Sequence, residues 1–165
     1  MHRTNAFASM PKIRKVRTLL VPTAMAVVAT IGIGTFATER TSAASQGGQK
    51  TVWDGVYTAS QADGRGRKEY LQSCAACHLE ELQGEDLAPP LKGEDFLIKW
   101  SDQSVQDFVN RIQTTMPADA PGTLMPQQAV DITAYIFKWN KMMAGSDELK
   151  PDAESLKTIK ITKAR

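Results

Sequence analysis

The stretch "SCAACHLEELQG", Ser73 to Gly84, holds both cysteines of the 165-residue chain, Cys74 and Cys77. It also holds His78, and the only other histidine, His2, lies near the start. Three nucleophilic or metal-ligating side chains within five residues mark one site. What chemistry they serve depends on what the rest of the chain supplies.

Cys-x-x-Cys alone fits a zinc half-site, a thiol redox pair or a disulfide. A structural zinc site takes four ligands, and beyond residue 44 the chain offers two cysteines and one histidine. A thioredoxin-like pair sits in a βαβ pattern, and none surrounds this motif. Cys-x-x-Cys-His is the attachment signature of c-type haem. On a helical turn, residues three apart share a face. Cys74 and Cys77 thereby reach the two vinyl groups of one haem as thioethers, and His78 places its imidazole beneath the iron. The competing reading is a chance match holding a disulfide. The expected cofactor is one covalent haem c per chain, and its apolar macrocycle also supplies a core that a short domain lacks.

Upstream, residues 1–44 carry "KIRKVR" (Lys12 to Arg17), the uncharged run "LLVPTAMAVVATIGIGTFA" (Leu19 to Ala37) and small residues in "TSAAS" (Thr41 to Ser45). This is a secretory pattern. Two outcomes fit it: cleavage after Ala43 or Ala44, or retention of residues 19–37 as a membrane anchor, since about 19 residues approach the length of a span. Either places the remainder in the periplasm, where c-type haem is attached. The leader contains six Lys/Arg and one acid, a charge of +5. The whole chain is +2, so residues 45–165 carry −3. The basic charge therefore belongs to the leader, a nucleic-acid role loses its main support, and no nucleic-acid partner is expected.

Past the leader, the divisions read as a lead-in segment 45–57, a domain 58–144 and a C-terminal tail 145–165. Thr58 to Cys74 is a helix candidate, with Ser60 and Asp63 resembling a capping box. Gly64 and Gly66 inside it each cost about 1 kcal/mol against Ala, a cost that often marks a close backbone approach. "LQGEDLAPPLKGEDF" (Leu82 to Phe96) reads as irregular loop. Ser101 to Thr115 has Val105, Phe108, Val109 and Ile112 at helical spacing, with Ser101 or Asp102 as cap. "MPADAPGTLMP" (Met116 to Pro126) is loop. The last helix begins at Pro126 in the first helical position, presents Ile132, Tyr135, Ile136 and Trp139, and has Gly145 as its stop. In the tail, Leu156, Ile159 and Ile161 are the apolar anchors. The fold class is all-α, three to five helices with long Pro/Gly loops around one haem.

Beyond residue 44 there is no second histidine to ligate the iron. Lysine or asparagine could serve, but methionine is the usual sixth ligand in electron carriers and raises the potential. Met142 and Met143 end a helix and read as packing or surface residues. Met116 begins a long loop able to fold over the distal face and is preferred. Met125, which abuts Pro126, is the alternative.

These features together resemble a class I cytochrome c over Val52 to Ala144, which implies the cytochrome c fold. Gly66 and Tyr70 in "GRKEY" look like the glycine and aromatic of the family's N-terminal helix. "AYI" (Ala134 to Ile136) looks like the helix that crosses it. "PPLKG" (Pro89 to Gly93) looks like the proximal loop, which implies a hydrogen bond from His78 Nδ1 to the Pro89 carbonyl. "TTMPADAPGTL" looks like the methionine-ligand loop. Met116 lies 19 residues before Tyr135, close to the family's separation, and Met125 only 10. Trp100 resembles aromatics lining the haem near a propionate, or is a buried packing residue. More narrowly, "VWDGVYTASQA", "EDFLIKW" and "TTMPADAPGTL" look like cytochromes associated with quinoprotein (pyrroloquinoline-quinone) alcohol dehydrogenases. The chain departs from them by an apparent extra residue between Gln61 and Gly66.

The expected function is a monohaem periplasmic one-electron carrier, not an enzyme. It accepts electrons from a periplasmic redox protein such as a quinoprotein dehydrogenase and passes them to a terminal oxidase or other respiratory acceptor. The alternatives are a haem subunit of a dehydrogenase complex, or a haem enzyme or sensor with an open sixth position. Membrane contact is expected only if the leader is retained. The expected cofactor-binding residues are Cys74, Cys77, His78, Met116, Pro89 and Trp100, with His78 and Met116 on the metal.

Overall fold

The computed structural model describes residues 48–163. The leader, 1–44, and the apolar run 19–37 lie outside them. Among the described residues no helix is long and apolar enough to cross a membrane. Nor is there a strand, only isolated bridges, so the all-α expectation holds. The α-segments are α1 (Ala59–Gln61), α2 (Arg67–Ser73), α3 (Ala75–His78), α4 (Gly93–Trp100), α5 (Val105–Thr115), α6 (Pro126–Trp139) and α7 (Ala153–Lys157), with a π-helical turn at Ala62–Gly66. They outnumber the three to five expected because the first helix is interrupted by the π turn and by Cys74.

The π turn falls within the stretch between Gln61 and Gly66. The Arg67 amide bonds the Ala62 carbonyl, five residues back. A π turn adds one residue to an α-helix without ending it. The cap also differs from the expected Ser60. Thr58 is the extended residue before the helix, and its Oγ1 accepts from the Gln61 amide at 3.1 Å. Gly66 then meets α6 at its backbone, where a Cβ would lie 2.3 Å from the Asp131 carbonyl oxygen. Gly64, expected to share that role, has nothing within 4 Å. Beside the crossing, Tyr70 and Tyr135 pack with ring centroids 5.2 Å apart.

The loop expected over 82–96 ends early, because α4 starts at Gly93. Glu94 and Asp95 occupy its first turn and Lys99 its last, the charge order that a helix dipole favours. Phe96 and Trp100 from α4 meet Phe108 of α5 edge-on at 5.3 and 4.7 Å, and Phe137 of α6 stacks on Phe108 at 6.1 Å. The start of α5 is Ser104, not Ser101 or Asp102. Ser104 Oγ accepts from the Asp107 amide at 3.1 Å, and the Asp107 carboxylate takes the Ser104 amide at 2.9 Å.

The lead-in and the tail are structural parts of the domain, not flanks of a 58–144 unit. Val52 donates to the Lys160 carbonyl at 2.9 Å and Lys160 to the Lys50 carbonyl at 2.8 Å. On its other side the tail takes the Val105 amide on the Ile159 carbonyl at 2.9 Å and donates from Ile161 to the Gln103 carbonyl at 3.0 Å. Leu156, Ile159 and Ile161 are buried, each burial stabilising by about 1.5–3 kcal/mol. Gly145 is no helix stop. Its amide bonds the Tyr57 carbonyl at 2.7 Å, and its backbone lies against Gly55, tying the segment after α6 to the lead-in. Asn140 ends α6 instead.

Candidate functional site

Cys74 ends α2, and the next turn, α3, carries Cys77 and His78. Both cysteines are free thiols, Cys74 half-buried and Cys77 exposed. Burial, aided by the neighbouring Cys77, pushes the Cys74 thiol up to about 12. It therefore stays protonated at neutral pH. The zinc alternative finds no support, since no cluster of three His, Cys, Asp or Glu occurs among the described residues.

His78 is buried, and its Nδ1 lies 2.9 Å from the Pro89 carbonyl oxygen. A carbonyl only accepts, so Nδ1 carries the proton and donates. Nε2 keeps its lone pair and has no hydrogen bond among the described residues. Burial lowers the pKa of the ring. The Pro89 bond opposes this, and the charge of Lys99 adds to it. The imidazole is thus neutral at neutral pH, the form that ligates a metal.

The chain returns from His78 to Pro89 through a tight loop. Leu79 closes α3 at φ 62° and Leu82 turns again at φ 61°, backbone positions that cost a bulky residue of order 1–3 kcal/mol each. Tyr70 Oη donates to the Leu79 carbonyl at 2.7 Å, and Leu82 is fully buried. Gly84, at φ +73°, donates to the His78 carbonyl at 3.1 Å; a Cβ there would sit 2.2 Å from the Ala88 carbonyl oxygen. Beyond Pro89, Asn140 pins the loop to the end of α6. Its Nδ2 donates to the Leu91 carbonyl and its Oδ1 accepts from the Gly93 amide, both at 2.9 Å. The sequence reading missed Leu79, Leu82 and Asn140. Nothing in leucine favours a positive φ, and an Asn after a helix signals only a cap.

Met116 is the half-buried residue that closes α5, and its bond to Pro117 is cis. Met125 precedes α6 and is 62% exposed. Its amide donates to Gln128 Oε1 at 2.9 Å. Trp100, 8% exposed, packs in the Phe108 cluster, as the packing reading of that residue expects. Met142 is buried and Met143 is half-exposed.

The residues present fit a haem. Two uncoupled thiols stand three residues apart, next to a neutral imidazole whose free nitrogen is Nε2. Leu71, Ala75, Leu91 and Leu97 pack on the core yet remain only partly buried. These apolar walls are what a macrocycle would cover.

Over residues 61–136 the chain matches the family described as cytochrome C oxidase, cbb3-type, subunit III. No match was found among curated proteins. Among solved structures it is similar to a chain in the crystal structure of the sulfane dehydrogenase SoxCD from Paracoccus pantotrophus, at 19% identity and a TM-score of 0.46. That alignment covers 66% of this chain and 61% of the other.

Proposed function

The chain being a class I c-type cytochrome with the all-α cytochrome c fold, we propose that it is a monohaem one-electron carrier of the periplasm with His78 and Met116 as axial ligands. The observation that carries this reading is the His78 geometry. Its Nδ1 proton is spent on the Pro89 carbonyl at 2.9 Å, which fixes the ring and directs the lone pair of Nε2 outward, a contact that orients and tunes a metal ligand. Cys74 and Cys77 hold the macrocycle as thioethers. Haem supplies the reversible one-electron change of its iron, and the protein contributes ligands, an apolar pocket and a docking surface. Met116 is favoured over Met125 by its partial burial at the end of α5. Were His78 and Met116 both to hold the iron, no position there would remain for a substrate, which supports a carrier role rather than an enzyme.

The leader pattern of residues 1–44 supports export. In that compartment a dehydrogenase, of the quinoprotein type that the motifs resemble, is the donor, and a terminal oxidase or other respiratory component is the acceptor. Mass spectrometry and absorption spectra of the exported protein test this. The expected mass is the polypeptide plus one haem. The expected oxidised spectrum has a weak near-infrared methionine–iron band that Met116→Ala abolishes and Met125→Ala keeps. Absence of covalent haem overturns the whole reading. A band that survives Met116→Ala overturns the ligand assignment alone.

A further inference from the structure

A second surface is lined by residues other than the exposed Cys77. Between the π turn and the end of α6 lies a groove of about 330 Å³ lined by Arg67, Tyr135, Lys138, Trp139 and Lys141, with Asp63 at its side. Lys138 is paired with Asp63. Arg67 and Lys141 have no charged partner among the described residues. A further cation, Lys92, sits 5.1 Å over the Trp139 ring. The patch therefore holds four cations and one carboxylate, on a segment, 45–165, whose net charge is −3. Cations concentrated in one groove, against the sign of the whole, focus the local field on anions.

The groove also has an inward route. The half-buried Trp139 meets Tyr135 edge-on at 6.3 Å, and Tyr135 meets the buried Tyr70 at 5.2 Å. Tyr70 is bonded into the attachment turn at both ends, since its carbonyl accepts the Cys74 amide at 2.9 Å and its hydroxyl bonds the Leu79 carbonyl at 2.7 Å. Continuous packing and hydrogen bonds thus run from the groove to Cys74, the first residue of the CxxCH turn, and to Leu79, the residue after it.

We propose that this groove is a second electron port: an acidic redox protein docks on Arg67, Lys141 and Lys92, and one electron crosses through Trp139, Tyr135 and Tyr70. The proposal rests on the haem reading above. The transfer makes and breaks no bond and moves no proton. The haem iron loses the electron that the acidic partner's metal centre gains, or the reverse.

The test uses the exported holoprotein and two inorganic oxidants of opposite charge. Stopped-flow oxidation of the reduced protein by hexacyanoferrate(III) should slow about tenfold at low ionic strength in the double variant Arg67→Glu, Lys141→Glu. The difference should close as salt shortens the Debye length toward ~3 Å at 1 M. Oxidation by the cationic tris(phenanthroline)cobalt(III) should not slow, and Lys150→Glu, an exposed cation outside the groove, should match the wild type. Trp139→Leu should lower the rate at saturating hexacyanoferrate(III) while keeping its half-saturation, and Trp139→Phe should restore it. Charge reversals that act no more strongly than Lys150→Glu overturn the docking site. An unchanged saturating rate in Trp139→Leu overturns the route. A wild-type protein without bound haem fails the cytochrome reading before any rate is measured.

Discussion

Gly66 of the first helix and Asp131 of α6 touch through their backbones: a Cβ at position 66 would lie 2.3 Å from the Asp131 carbonyl oxygen. The same aspartate is almost fully buried and accepts from Gln61 at 2.8 Å and from Arg65 at 2.9 Å. One residue thereby receives both the closest approach of the two helices and the side chains that lead into it. The π turn brings Arg65 and Gly66 to α6 together.

Gly66→Ala forces backbone against backbone, where neither side can yield. A loss of about 3 kcal/mol or more is expected. Gly64→Ala has open space and gains helix propensity, so it should stabilise by about 0.5–1 kcal/mol. Chemical denaturation of the holoprotein separates the two. Equal effects at both positions would refute the close approach.

Asn140→Ala removes the clamp between the His78–Pro89 loop and α6, and leaves the Gly93 amide without its partner. A loss of about 1–2 kcal/mol is expected from the lost bonds to the Gly93 amide and to the Leu91 and Ile136 carbonyls. Hydrogen exchange at the Gly93 amide should quicken in the variant. Unchanged exchange would show that the loop holds itself.

Ile161→Ala tests whether the tail belongs to the core. The side chain is fully buried between the lead-in and the start of α5, so about 3 kcal/mol should be lost. A true flanking tail would lose nothing on the same thermal melt.

Ser104→Ala should cost about 1 kcal/mol by removing the α5 cap. Its partner Asp107 adds a pH signature. Hydrogen bonds from Ser104 hold that carboxylate below its ordinary value of 3.8. A depressed folded-state pKa stabilises above the ordinary value, and that stability is lost as pH falls through the folded value. Wild type and Asp107→Asn should differ at neutral pH and converge below pH 3.8. A difference that persists in acid would assign the effect to packing.

Much of the domain was legible beforehand. Pro126 marked the start of α6, the spacing of Val105, Phe108, Val109 and Ile112 marked α5, and "GRKEY" with "AYI" marked the helix crossing. Three kinds of feature were not legible. Ser60 and Ser101 looked like caps because local composition cannot say which of several hydroxyls adopts extended backbone. The start of α4 at Gly93 lay hidden in a run of Gly, Pro and charge. The tail looked polar because its anchors, Leu156, Ile159 and Ile161, follow no helical or strand period.

What the sequence by itself determined about this protein is the clustering of two thiols and an imidazole within five residues, Cys74 to His78, a relation that local helical geometry sets and that needs no other part of the chain. Helices with an apolar face were determined in the same way, by periods of three and four. The resemblance already implied that Pro89 brings its carbonyl to His78, and the structure places it there at 2.9 Å. Only the tertiary structure decided that residues 62–66 form a π turn, that Asn140 ties the loop after Pro89 to α6, and that residues 50 and 160 pair across the domain. The reason is physical. Contacts within a turn follow from backbone geometry alone, whereas contacts between distant segments depend on how every intervening helix packs.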